Sequence, residues 1–159
     1  MVSINKSVDI GAPVDRIWDI VSDVDKDPEY WTGMSLIKNT VRSGNFVERD
    51  AKVGFMGHEG HQVIKLIPKE SVDLSMTSGP LKGSRTVKLN PLQYDRTRVE
   101  IAWDFEFSGV PVFARGFVKS QIERATSEAL AKISQTAGNL RTSTKDAALV
   151  STSDRRKKA

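Results

Sequence analysis

The sequence predicts an α+β fold: a strongly curved antiparallel sheet wrapped around a long C-terminal helix. Three observations predict it. Residues 98–108 alternate, with Val99, Ile101, Trp103, Phe105 and Phe107 set against Glu100, Ala102, Asp104 and Glu106, so this strand has one greasy face and one charged face. Between Met34 and Phe107, strand-like runs follow one another at hairpin spacing with no helix between them, which means an antiparallel sheet with one wet side. From about Val112 to Gly138, the apolar positions Val118, Ile122, Ala125, Ala129, Ile133 and Ala137 recur in steps of three and four. That helix, at 1.5 Å per residue, is about 40 Å long, the only element large enough to cover such a sheet.

Taken in order, Val2 to Ile10 reads as a strand with Val2, Ile4, Val8 and Ile10 on one side. Gly11-Ala12-Pro13 breaks it and opens a short helix, in which Val14, Ile17, Trp18 and Val21 fall at i, i+3, i+4 and i+7. The acidic stretch Asp23, Asp25, Asp27 and Glu29 reads as a solvated loop, followed at Tyr30-Trp31 by a turn or a second short helix. Strands are expected over Met34–Arg42 and Phe46–Phe55, a loop around Gly57 and Gly60, then a strand over His61–Ile67. Val72, Leu74 and Met76 share a face of the next strand; Leu81, Arg85, Val87 and Leu89 share a face of the one after it. Asn90-Pro91 through Asp95 reads as a loop before the last strand. Pro111 suits the first turn of the long helix and Gly138-Asn139 its stop. In the near half of that helix, Phe113 and Phe117 flank Gly116; the far half carries compact alanines and isoleucines. One end is therefore expected to lie tight on the sheet and the other to stand off it. The domain reads as 1–142, with 143–159 a flexible basic tail.

Composition narrows the function classes. A chain of 159 residues with 38% hydrophobic and 28% charged residues is one soluble globular domain. The absence of cysteine excludes disulfides, thiolate nucleophiles and zinc–thiolate sites, and with the strand-like N-terminus it points to the cytoplasm. No run is apolar enough for a transmembrane segment. Of the net charge of +4, residues 143–159 hold +3, five basic side chains against two acidic ones. The folded body is nearly neutral and lacks the basic face that specific nucleic-acid binding needs.

The opening SVDIGAPVDRIWDIVSDVDKDPEYW resembles that of the START-like or SRPBCC superfamily, the polyketide cyclase/dehydrase and lipid-transport group. Val53-Gly54, the Leu89-Asn90-Pro91 bend, Thr97-Arg98-Val99 and the Gly109-Val110-Pro111 joint extend the resemblance over residues 2–140. The resemblance implies a helix-grip fold with an apolar cavity between sheet and long helix. It does not choose among the group's uses, which run from lipid binding to polyketide cyclisation.

The candidate site follows from strand parity and from that expected cavity. Trp31, Ile64, Leu74, Met76, Val87, Trp103, Phe105, Phe113 and Phe117 are its expected lining, with Arg85 as polar anchor and Gln121 and Arg115 as weaker polar candidates. An arginine on an apolar strand face must be paired internally or meet a ligand's anionic or carbonyl group. His58 and His61, three apart on an extended segment, point to opposite faces and make a polar loop rather than a metal site. Gly54, Gly57 and Gly60 precede a strand, so a hairpin fits them better than a phosphate cradle. No nucleophile–base pair or carboxylate dyad assembles, and no cofactor is called for. The leading expectation is a carrier or sensor of a small apolar or amphipathic molecule such as a lipid, isoprenoid or aromatic polyketide. The alternatives are a cyclase or dehydratase acting on such a molecule through Arg85, Glu59, His61 or Tyr30, and an interaction module using the basic tail. Nothing in the sequence sets an oligomeric state.

Overall fold

The computed structural model describes residues 1–54 and 58–152, the side chains of Leu36 and of residues 139–152 excepted. Chain order is β1 (Val2–Ile10), α1 (Val14–Val21), a 3-10 turn (Val24–Lys26), α2 (Asp27–Tyr30), β2 (Met34–Ser43), β3 (Phe46–Val53), β4 (His58–Ile67), β5 (Ser71–Met76), β6 (Leu81–Leu92), β7 (Arg96–Phe107) and α3 (Val112–Thr152). The strands form one seven-stranded antiparallel sheet in the order β1-β7-β6-β5-β4-β3-β2. The sequence-distant β1 joins at the β7 edge, with Val2 opposite Phe105 and Ile10 opposite Thr97. Curved sheet, short helices and long terminal helix together are the helix-grip architecture.

The inner face of the sheet carries Ile4, Val47, Ile64, Val72, Leu74, Val87, Val99, Ile101 and Phe105, all buried. Ile17, Ile20 and Val21 of α1 pack into the same core, as do Ala129, Leu130, Ile133 and Ala137 of α3. Small residues let this part of α3 approach closely, because a helix can dock no nearer than its bulkiest contact side chain allows. From Val112 to Gln121, by contrast, every α3 residue except Ala114 and Val118 is exposed.

Three boundaries differ from the sequence reading. β4 begins at His58, so Gly60 lies within a strand. It is buried there, and a Cβ on it would come within 2.7 Å of the Ser78 carbonyl oxygen. This glycine serves a close approach of two backbones rather than a turn. β6 continues through Asn90-Pro91, with Pro91 opposite Thr97 of β7. Its pairing with β5 ends at Lys88, so proline's missing N–H is tolerated on an unpaired side. The backbone of α3 runs past Gly138-Asn139, since both residues lower helix propensity by only about 1 kcal/mol or less and do not break a helix. Of the expected tail, residues 153–159 lie outside the described residues, as does the loop at 55–57. No helix of the described residues is long and apolar enough to cross a membrane.

Candidate functional site

At the centre of the inner face, two arginines meet one carboxylate. Arg85 on β6 shares its strand face with the buried Val87 and Leu89, and Arg49 on β3 shares its face with the buried Val47 and Ala51. Strand parity therefore sends both guanidiniums inward. Asp27, the first residue of α2, is 7% exposed and faces them. The Arg49 Nη2 donates to Asp27 Oδ2 at 2.7 Å, its Nε to Gln62 Oε1 at 2.8 Å and its Nη1 to the Val24 carbonyl at 2.8 Å. Arg49 is thereby satisfied on all sides.

Arg85 is not. Its Nη2 reaches the same Asp27 oxygen only at 3.5 Å, and its buried Nε has no hydrogen-bond partner among the described residues. Its guanidinium carbon lies 4.2 Å from the Trp31 ring centroid and 5.7 Å from that of Trp103, so two ring faces add to the distant carboxylate in stabilising the cation. Burial pushes the Arg85 pKa down to about 10; Asp27 opposes this and the like charge of Arg49 adds to it. At neutral pH Arg85 is still a cation. The cluster thus holds two positive charges against one negative, buried, which is the costly arrangement for a protein interior.

Beside this cluster is a cavity of about 20 Å³ lined by Ile20, Asp27, Tyr30, Trp31, Arg85 and Ile133, among others. That is room for about one water molecule. Aromatic side chains occupy the space around Arg85. Trp31 and Trp103 meet edge to face at 5.7 Å, and Trp103 meets Phe105 in the same way at 6.1 Å. Trp103 Nε1 donates to Thr126 Oγ1 at 2.9 Å, and that hydroxyl donates in turn to the Ile122 carbonyl at 2.7 Å, so both buried polar groups are satisfied. A second, open recess of about 530 Å³ lies where the N-terminal half of α3 leaves the sheet, lined by Met1, Val2, Glu106, Phe107 and Arg115.

The expected site residues separate into three groups. Trp31, Arg85 and Val87 line the small cavity, and Trp103 stands against Arg85 beside it. Ile64, Leu74 and Phe105 are buried in the core, and Met76 is half-buried at the end of β5. Phe113 and Phe117, expected in the lining, are instead 91% and 54% exposed, and Gln121 is exposed as well. The reason is helical geometry: at about 100° per residue, Phe117 and Phe113 sit roughly 100° and 140° around the helix from Val118, which lies in line with Ile122, a residue packed against the core. Arg115 is exposed too; it donates from Nε to the Val110 carbonyl and lies 5.6 Å from the Phe107 ring.

Asp27 corrects the reading of the acidic stretch as wholly solvated, and Arg49 and Gln62 were not anticipated. The signal for both was the one that singled out Arg85: each shares parity with apolar neighbours on its strand. Of the titratable candidates, Glu59 is exposed, and His61 lies on the outer face between Asp50 and Glu48 at 2.9 and 3.1 Å. Hydrogen bonds to Asp50 and then Glu48 raise the His61 pKa above 6.5. Tyr30 lines the cavity, with its hydroxyl 3.4 Å from Thr136 Oγ1.

Comparison with known proteins finds a family match over residues 1–138, to a group described as polyketide cyclase / dehydrase and lipid transport. Solved structures share the fold. The Zhui aromatase/cyclase from Streptomyces sp. R1128 is 15% identical, with a TM-score of 0.75 over 86% of this chain and 93% of its own. A protein from Thermus thermophilus is 15% identical, with a TM-score of 0.74 over 87% and 99%. A START superfamily protein from Mycobacterium smegmatis is 22% identical, with a TM-score of 0.63 over 87% and 98%. No curated protein sequence matches the chain.

Proposed function

We propose, from the premise that this chain belongs to the polyketide cyclase / dehydrase and lipid transport family, that it binds a small amphipathic molecule between sheet and α3, as a cytoplasmic carrier or sensor. The observation that carries this reading is the unbalanced charge at Arg85: a buried cation with an orphaned Nε, backed by two indole rings and opening on a cavity. A ligand's carboxylate, phenolate or carbonyl oxygen supplies the missing acceptor, and Trp31, Trp103 and Val87 supply apolar walls. Because the cavity holds only a water, entry requires Trp31 or the helix above it to swing aside.

Native mass spectrometry and tryptophan fluorescence against a panel of long-chain fatty acids, isoprenoid alcohols and aromatic polyketides test the reading. Arg85→Met is expected to weaken acid or carbonyl ligands by about tenfold or more, because a hydrogen bond to a charged group is lost. The same change leaves stability level or raised, since an undercompensated buried charge gives way to an apolar side chain. A protein that captures no member of the panel, or an Arg85→Met variant that binds acids as well as the parent, overturns it.

A second reading, a cyclase or dehydratase, draws on Tyr30 and Asp27, titratable groups that line the same cavity. It differs in one outcome: Tyr30→Phe then abolishes turnover of a bound polyketide while leaving its binding intact.

A further inference from the structure

The charges buried around the small cavity do not cancel. Arg49 is fully buried, Arg85 is 3% exposed and Asp27 7%, so two guanidiniums share one carboxylate away from water. Asp27 is committed to Arg49 at 2.7 Å and reaches Arg85 only at 3.5 Å. Arg49 gives its other donors to Gln62 and the Val24 carbonyl, whereas Arg85 keeps a buried Nε with no hydrogen-bond partner among the described residues. The surplus positive charge therefore sits at Arg85, on the cavity wall. Asp27 and Arg85 are the only charged side chains among the described residues that line this cavity, and Ile20, Val87 and Ile133 make much of the remaining wall apolar. A water molecule there supplies an acceptor but no charge, and an undercompensated buried cation favours an anion. The volume of about 20 Å³ leaves no room for a polyatomic headgroup, but a halide ion is little larger than a water molecule.

We infer that this cavity binds a small monovalent anion, of chloride's charge and size, as the counter-ion of Arg85. The inference uses the arginine of the proposed ligand site but not the ligand. The anion needs no movement of Trp31, whereas an amphipathic guest needs Trp31 or the helix above it to swing aside. Asp27 on the same wall opposes the anion, so binding is expected at roughly millimolar Kd.

Bromide tests it, since it takes chloride's place and quenches indole fluorescence on contact. Bromide is titrated into the full chain at constant ionic strength, with gluconate as the balancing anion. Trp31, which lines the cavity, is expected to be quenched saturably, and the half-buried Trp18 to add only a linear component. At roughly tenfold excess over Kd, the melting temperature in bromide is expected to exceed that in gluconate by about 3–6 °C. Arg85→Met is expected to lose both the saturable quenching and the difference in melting temperature. Independently of any variant, crystals of the parent grown in bromide are expected to show an anomalous peak in the cavity, within hydrogen-bond distance of the Arg85 guanidinium. The inference is overturned by strictly linear quenching, by equal melting temperatures in the two anions, or by bromide found only on the outer surface. Saturable quenching that survives in Arg85→Met overturns it as well. Saturable bromide binding by a protein that captures no amphipathic molecule supports the inference and removes the proposed function. Capture of a fatty acid by a protein that bromide neither quenches saturably nor stabilises does the reverse.

Discussion

The two halves of α3 belong to one continuous helix and do opposite things. Beyond Thr126, compact residues press onto sheet and α1, and Ala129 and Ala137 are fully buried. Before Gln121 most residues of the helix are exposed, Phe113 at 91% among them. Side-chain size at the seam accounts for the difference: alanine permits contact, and the approach then fixes which face is inside. Stability is concentrated in the far half and under Arg49, whereas surface chemistry is concentrated in the near half. A helix can thus be anchored at one end while its other end is largely exposed.

That contrast can be broken most severely at Asp27, which sits under the anchored end. Asp27→Asn leaves two buried guanidiniums facing each other with no counter-charge, and a loss of about 3–5 kcal/mol is expected, read as a shift in the urea midpoint. Next comes the seam itself. Ala129→Leu forces extra volume into a closed contact and is expected to cost about 1–3 kcal/mol, whereas Phe113→Ser in the other half should stay within about 0.5 kcal/mol. Equal costs at the two positions would erase the distinction between the halves. The smallest effect belongs to the outer face. His61 has a raised folded pKa, so its contribution is complete below about 6.5 and is lost as pH climbs through the folded value. Thermal melts are expected to show slightly higher stability at about pH 6 than at about pH 8, and His61→Gln should flatten that difference.

Much of the fold was legible because alternation and helical period report which side of an element is wet. Val99 to Phe107 and the stripe from Val118 to Ala137 behave as their spacing dictates. Arg85 was legible for the same reason, as a charged residue on an apolar parity. Arg49 and Gln62 carried that signal too, but Arg49 sits between Glu48 and Asp50, and Gln62 next to His61, which masks the pattern. Asp27 was hidden in a run of four acids. Only packing, not composition, distinguishes the one carboxylate that turns inward. The exposure of Phe113 and Phe117 follows from their angle rather than their hydrophobicity, since their offset from Val118 follows from counting residues. The size of the interior space was not legible, since it depends on how Trp31 and Trp103 interlock and no local period encodes that.

The shared carboxylate has a mechanical side. Arg49 and Arg85 rise from β3 and β6, three places apart in the sheet order, which in a flat sheet means about 14 Å between their backbones. Both guanidiniums close on one oxygen of Asp27, so this single side chain acts as a strap across the concavity, drawing the two flanks together. A four-residue helix thus holds the one carboxylate that links these two flanks, so a shift of that helix loosens both contacts at once.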